Sequence, residues 1–323
     1  MASLSDVSRH AGVSIATCSR VLGGSAHPVS EATRTRVLDA ARELGYTPSA
    51  LARALATRSS RIIGLIVGDI VDPYFAEIAR GVEAVAADLG YLTMVCSAEV
   101  GTEAELGHVR SLRDHRAAGI VFAASGREHD PGAPDVAEAV TDARERGSVV
   151  VALAQRDFKA PSIVFDNEAA ARDVTAYVRG LGHERIAFVE GPPALHTSAQ
   201  RLRGFLRAGG GERVAGGFAY EDGIAAAETL LARPHLPDAI VAANDEAAIG
   251  VLMRLRDAGV DVPGDVSVAG IDDTRPARFV ELTTVTAPLH EMGRHAAHAV
   301  LGNPAHDVVL PHALAPRATT RRR

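Results

Sequence analysis

The chain has 323 residues, 47 % of them apolar and 23 % charged, with a formal net charge of −6. That length allows two or three domains with sizeable cores, and no apolar run reaches the ~20 residues of a membrane-spanning helix. Two cysteines far apart, Cys18 and Cys96, exclude a disulfide scaffold and fit a reducing cytoplasm.

The charge is unevenly placed. Residues 1–61 carry eight arginines against Asp6, Glu31, Asp39 and Glu43, a surplus of +4 that leaves −10 on the remainder. A basic head on an acidic body is expected where only the head meets a polyanion. "LSDVSRHA" predicts a first helix with Val7 and Ala11 inward. Gly12 then makes a turn, Ser14 caps a second helix, and Cys18, Val21 and Leu22 form its buried face. Its other face carries Ile15, Ala16, Ser19 and Arg20, where a solvated helix would carry Lys and Glu. A third helix starts at the cap Ser30, with Val37, Leu38, Ala41 and Leu44 as its apolar stripe and Gly45 as its stop. Helix, Gly turn, helix is the helix-turn-helix pattern, whose second helix enters the major groove of DNA. Ile15 and Ala16 suit thymine methyls, and Arg20 suits guanine or phosphate. The expected DNA-contacting set is Ser5, Ser14, Ile15, Ala16, Thr17, Ser19, Arg20 and Ser30.

"LSDVSRHAGVSIATCSRVL" followed by "VSEATRTRVLDAARELGYTPSALARAL" resembles the head of the lactose/galactose-repressor (LacI/GalR) family of bacterial transcription regulators. The resemblance runs through the first 58 residues with a one-residue slip around Ala26–Pro28. Cys18 stands where the family usually has valine, and Gly23 where it has asparagine. After Pro48, "SALARALATRSS" is long enough for a two-turn helix only, marginal alone in water. The resemblance implies a hinge helix there, ordered on DNA, with Leu55 as a wedge in the minor groove.

From Arg61 onward, apolar runs alternate with amphipathic stretches. The runs are "IIGLIV", "YLTMVC", "GIVFAA", "SVVVALA", "SIVFDN", "RIAFVEG", "AIVAAN" and "SVAGID". Such runs predict parallel strands covered on both faces, and stretches such as "PYFAEIARGVEAVAADLG" predict the covering helices. The fold expected is an N-terminal all-α helix-turn-helix head plus an α/β body of two doubly wound lobes. The resemblance extends to this periplasmic-binding-protein-like body. It implies a DNA-binding domain at 1–48, a hinge or linker at 49–60 and an effector-binding and dimerisation body at 61–323. Lobe 1 takes about 61–158 plus 289–301, and lobe 2 about 159–287 plus the final strand "DVVLPHAL", 306–316.

In doubly wound folds a ligand sits at the carboxyl ends of the strands. "DIVDPYF", "HTSAQRLRGF", "GGFAYEDG", "AIVAAN" and "SVAGID" place a carboxylate, an amide, an arginine and flat rings there, a set suited to a polyol. By position, Asp69, Tyr74, Phe75, Thr197, Arg201, Phe218, Asn244 and Asp272 match places that contact effectors in the family. Leu195 stands where purine-sensing members carry arginine, which argues against a purine. Ala154-Gln155 lacks the acid of many sugar-sensing members, and "RAGGGERVAGGF" is shorter than the usual link before Phe218.

Metal, cofactor and catalytic roles find no support. His290 and His295 of "HEMGRH" would point some 140° apart on a helix, because each residue turns about 100°. No G-x-G-x-x-G follows the first strand, and no nucleophile elbow is present. A sugar-binding protein serving transport would need export, yet "MASLSDVSRHAGVS" lacks a signal-peptide pattern. The expected function is a cytoplasmic, nucleoid-associated repressor of sugar-utilisation genes. It would bind a pseudo-palindromic double-stranded operator as a homodimer, with DNA affinity set by a small-molecule effector and no membrane partner. The tail "APRATTRRR" has no leucine heptad, which favours a dimer over a tetramer.

Overall fold

The computed structural model describes residues 2–23, 28–46, 60–98, 101–302 and 306–323. The hinge segment up to residue 59, with Leu55, lies outside the described residues. The chain divides into two compact units, Met1–Ser60 and Arg61–Arg323.

In the first unit, α1 (Leu4–Ala11), α2 (Ile15–Gly23) and α3 (Glu31–Glu43) surround one small core. Ser3 and Asp6 cap α1 reciprocally, each side chain accepting the other's backbone N–H. Gly12 ends α1 at φ 63°, a left-handed conformation that costs glycine little. Ser14 Oγ accepts the Thr17 N–H at 3.0 Å, and Ser30 Oγ accepts the Thr33 N–H at 3.3 Å. The core is Val7, Ala11, Cys18, Val21, Val37, Ala40 and Ala41. Leu38 departs from the expected stripe and is 43 % exposed. Val37, Ala40, Ala41 and Leu44 are spaced three, four and seven apart, so Leu38 falls about 100° off that face.

The second unit is α/β throughout. Its first half runs β1 (Ile62–Val67), α4 (Pro73–Asp88), β2 (Leu92–Ser97), α5 (Thr102–Asp114), β3 (Gly119–Phe122), α6 (Ala133–Glu145) and β4 (Val149–Ala152). These strands form a parallel sheet of order β2-β1-β3-β4. Next come β5 (Ile163–Phe165), α7 (Asn167–Gly180), β6 (Ile186–Val189), α8 (His196–Arg207), β7 (Glu212–Val214) and α9 (Tyr220–Leu231). β8 (Ala239–Ala242), α10 (Asp245–Asp257) and β9 (Ser267–Ala269) complete a second parallel sheet, of order β7-β6-β8-β9. The remaining elements are α11 (Arg275–Phe279), β10 (Thr284–Thr286), α12 (Leu289–Val300), β11 (Val308–Leu310) and β12 (Ala313–Ala315). Among the described residues no helix is long and apolar enough to cross a membrane.

The unbroken apolar runs have their physical reason in the two-sided cover. Ile63, Leu65 and Val67 of β1 join a core with α4 and α12, while Ile66 faces the opposite core with Val109, Leu112 and Val140. The expected final strand is not continuous. Pro311 cannot donate to a ladder, and the chain divides there. β11 pairs parallel with β5, and β12 pairs antiparallel with β10.

Helices meet at glycines. A methyl at Gly81 in α4 would strike the His290 carbonyl of α12, and one at Gly293 in α12 would strike the Ile78 carbonyl of α4. Gly81→Ala gains helix propensity but must push these backbones apart, so a loss of about 1–3 kcal/mol is expected in urea unfolding. An unchanged or raised midpoint would show that the crossing yields freely.

Candidate functional site

The carboxyl ends of the two sheets in the second unit enclose a cavity of about 440 Å³. All eight residues proposed for effector contact, Asp69, Tyr74, Phe75, Thr197, Arg201, Phe218, Asn244 and Asp272, line it. They come from the β1–α4 loop and the first turn of α4, the first half of α8, the β7–α9 loop, the cap of α10 and the turn after β9. A larger groove, about 1190 Å³, follows β4 and β5 and contains none of them.

Arg201 and Asp272 line the cavity while engaging each other. Arg201 Nη2 donates to Asp272 Oδ1 at 2.6 Å and Nη1 to Asp272 Oδ2 at 3.3 Å, with both side chains 2 % exposed. Arg201 Nε also donates to Asn167 Oδ1 at 2.9 Å, and Nη1 to the Ala243 carbonyl. The guanidinium lies over the rings of Phe165 and Phe218, 5.9 and 5.8 Å from their centroids. Burial pushes the Asp272 carboxyl up to about 6, with Arg201 opposing, so it is ionised at neutral pH. The pair is therefore neutral as a unit. Asp272 has φ 126°, a conformation that favours glycine, held by its N–H on the Val285 carbonyl.

The other residues set the walls. Tyr74 and Phe75 pack edge to face at 5.1 Å. Burial and the neighbouring Asp272 raise the Tyr74 phenol, which stays neutral and can donate. Asn244 caps α10 by accepting the Ala247 N–H, and its amide donates to the Phe218 carbonyl at 2.9 Å, which positions that ring. Asp69 Oδ1 accepts the Val71 N–H at 2.9 Å, and the Thr197 N–H donates to Ser125 Oγ at 3.2 Å.

Several functional groups escaped the sequence reading. Asp72 caps α4 through the Tyr74 N–H, Glu246 follows Asn244 by two residues, and both line the cavity. Their signal lies in the "VDPYF" and "NDE" strings, which helix-start rules also explain. Phe165 and Asn167, behind Arg201, carried no separate signal. Asp245 is fully buried and accepts from the Thr274 N–H at 2.7 Å and Thr284 Oγ1 at 2.6 Å, which ties the β9 turn to β10.

These buried acids set a pH dependence. Burial, helped by Asp272, pushes Asp245 up to about 7; burial, helped by Glu246 and Asp69, pushes Asp72 up to about 6. A carboxyl whose folded value lies above its unfolded one contributes stability below the unfolded value, and that stability is lost as pH rises through the folded value. Asp238 runs the other way: burial would raise it, but hydrogen bonds from Arg185, Arg323 and Glu184 bring it to about 2. The ligand-free protein is expected to gain roughly 4 °C or more in Tm between about pH 8 and about pH 5, some 2 kcal/mol. Melting that is flat or falls over that range would contradict it.

In the first unit, α2 turns Ile15 (53 % exposed), Ala16, Ser19 and Arg20 outward. Thr17 is half-buried with its hydroxyl 2.8 Å from Ser14 Oγ, and Ser5 and Ser30 are exposed. Arg9 pairs with Asp6 and Arg42 with Asp39, whereas Arg20 has no partner among the described residues.

A helix-turn-helix unit and a two-sheet body with a cavity at its strand ends define a ligand-responsive DNA-binding regulator. Residues 3–49 match the model of bacterial regulatory proteins of the lacI family, and residues 175–320 match a periplasmic binding protein-like domain. Catabolite control protein A of Priestia megaterium is 34 % identical, covering 89 % of this chain and 88 % of its own. The HTH-type transcriptional repressor CytR of Escherichia coli K12 is 33 % identical over 91 % and 87 %. The lac repressor dimer bound to operator and the anti-inducer ONPF aligns with TM-score 0.81 at 26 % identity, over 99 % of both chains. The chain belongs to the lacI family of bacterial regulatory proteins, and it is a transcriptional regulator rather than an enzyme.

Proposed function

We propose that the chain represses sugar-utilisation genes as a cytoplasmic, nucleoid-associated homodimer, with its DNA affinity set by a small polar effector in the cavity. The observation that carries this is the convergence of all eight proposed contact residues on one cavity at the strand ends. Residues 1–48 read DNA through Ser5, Ser14, Ile15, Ala16, Thr17, Ser19, Arg20 and Ser30, residues 49–60 form the hinge with Leu55 as its wedge, and residues 61–323 sense the ligand. Within the body, 61–158 with 289–301 makes one lobe, and 159–287 with 306–316 the other. A ligand that touches both lobes favours one angle between them, and operator affinity follows by linkage. A second copy has a surface to meet on the edge strand β2, where Leu92, Met94 and Val95 stand exposed. A transport role would leave the basic helix-turn-helix unit without a purpose.

Selection of bound fragments from the DNA around the chain's own gene tests this reading, with band-shift titrations of the winning site in the presence of hits from a sugar thermal-shift screen. A pseudo-palindromic site and a hit that changes its affinity fivefold or more are expected, a coupling of about 1 kcal/mol. A tight hit that leaves DNA affinity unchanged would remove the regulatory reading.

A further inference from the structure

The cavity carries an imbalance of charge. Three arginines line it, and two of them are already neutralised. Arg201 is bound to Asp272, and Arg156 is paired with Glu105 beside the rings of Phe122 and Phe158, the Arg156 and Glu105 side chains under a tenth exposed. The third, Arg127, is exposed. Against them stand Asp72, from the β1–α4 loop of one sheet, and Glu246, from the first turn of α10 on the other. Glu246 Oε1 is closed off from solvent and has no hydrogen-bond partner. Asp72 uses Oδ1 on the Tyr74 N–H, and among the described residues no cationic side chain is bonded to it.

A buried carboxylate without a counter-charge is costly and either takes up a proton or recruits a cation. The groups facing these two acids add to the need. Asp69 and Glu246 act on Asp72, with Arg201 the one opposing charge; Asp245 and Glu221 act on Glu246. Burial is the main cause that raises both, and on Asp72 the Tyr74 N–H and Arg201 offset only part of it. Carboxylates on two sides of a cavity suit an ammonium, which donates a charge-assisted hydrogen bond to each. The remaining lining, the neutral Arg201–Asp272 pair, the Asn244 amide and the Tyr74, Phe75 and Phe218 rings, suits hydroxyls and C–H faces.

We propose that the effector is a polyhydroxylated amine bound as its ammonium form, with Asp72 and Glu246 receiving the charge from opposite sides of the cavity. This rests on the reading of the cavity as the effector site. An ammonium held between carboxylates from the two sheets also supplies differential affinity for the closed arrangement, because opening the cavity would separate it from one of them.

The test is calorimetry on the full chain with three matched sets: the 2-amino-2-deoxy forms of glucose, galactose and mannose, the parent hexoses, and the N-acetylated amines. At least one amine is expected to bind about tenfold or more tightly than both its parent and its acetylated form. Glu246→Gln and Asp72→Asn should each bring the ratio of amine to parent affinity toward one; Asn retains the capping oxygen of Asp72. Should either variant fold poorly, the unaltered protein still decides through pH. Its affinity for the amine should rise from about pH 5 to about pH 7 as Asp72 ionises, while affinity for a neutral hexose should not rise. A parent or acetylated sugar that binds as tightly as its amine overturns the proposal and leaves the effector reading in place. Binding by no member of the panel overturns the amine and the sugar effector together. An amine that binds with this signature and leaves operator affinity unchanged supports the proposal and removes the regulatory reading instead.

Discussion

Asp272→Ala is expected to cost the fold about 3–5 kcal/mol, well beyond the loss of a ligand contact. The reason is what remains behind. Arg201 is 2 % exposed and, among the described residues, would keep Asn167 and the Ala243 carbonyl as acceptors but no counter-charge. Asp272 also ends β9 in a strained conformation, and its N–H bond to Val285 joins that turn to β10. Urea unfolding of the ligand-free protein measures the loss directly. Replacing both partners by apolar groups, Arg201→Met with Asp272→Leu, should recover much of it, since no uncompensated charge is left. If Asp272→Ala unfolded at the same urea concentration as the parent, the pair would be no support of the body. For ligand contact, Tyr74→Phe is the cleaner probe, because it deletes one hydroxyl and leaves the edge-to-face packing on Phe75.

The difference between what Asp272 looked like in sequence and what it does in the fold is instructive. "SVAGID" placed it correctly at a strand end, because an apolar run of that kind can only be a two-sided parallel strand and its carboxyl end must face the cavity. Its partner was not legible, since Arg201 lies 71 residues away on α8. The same limit hid Glu246 and Asp72. Asp72 is itself the cap of α4 and Glu246 lies in the first turn after the cap Asn244, so local rules explain both strings without reference to the opposite sheet. Short elements were the other gap. β7 and β10 are three residues long, and "ERV" and "TVT" are too brief for a period to show. In the head, Leu38 was assigned inward on hydrophobicity alone, whereas the helical angle put Ala40 in that place. Periodicity settled nearly all of the body's long elements because each helix or strand meets its core along a fixed stripe. Pairings across the cavity obey no local period.

Arg20→Ala is expected to lower operator affinity by about 1–3 kcal/mol, or roughly 5- to 150-fold, with most of the discrimination against unrelated DNA lost. Arg20 is the one charged side chain on α2, whose outward face otherwise offers Ile15, Ala16, Thr17 and Ser19. Small and apolar groups can read thymine methyls but cannot specify a guanine, so a single guanidinium carries that part of the code. No ion pair holds it among the described residues, in contrast with Arg9, paired with Asp6, and Arg42, paired with Asp39. Competition band-shifts at two salt concentrations separate the possible roles. A phosphate contact would weaken every sequence alike and reduce the salt slope by about one, whereas a base contact would weaken the operator selectively. The selective loss is expected, because Ser14 caps the helix at the preceding turn and fixes the depth at which α2 can enter the groove. If Arg20→Ala bound operator like the parent, α2 could not be the reading helix, and the half-buried Arg34 and exposed Arg36 of α3 would become the candidates.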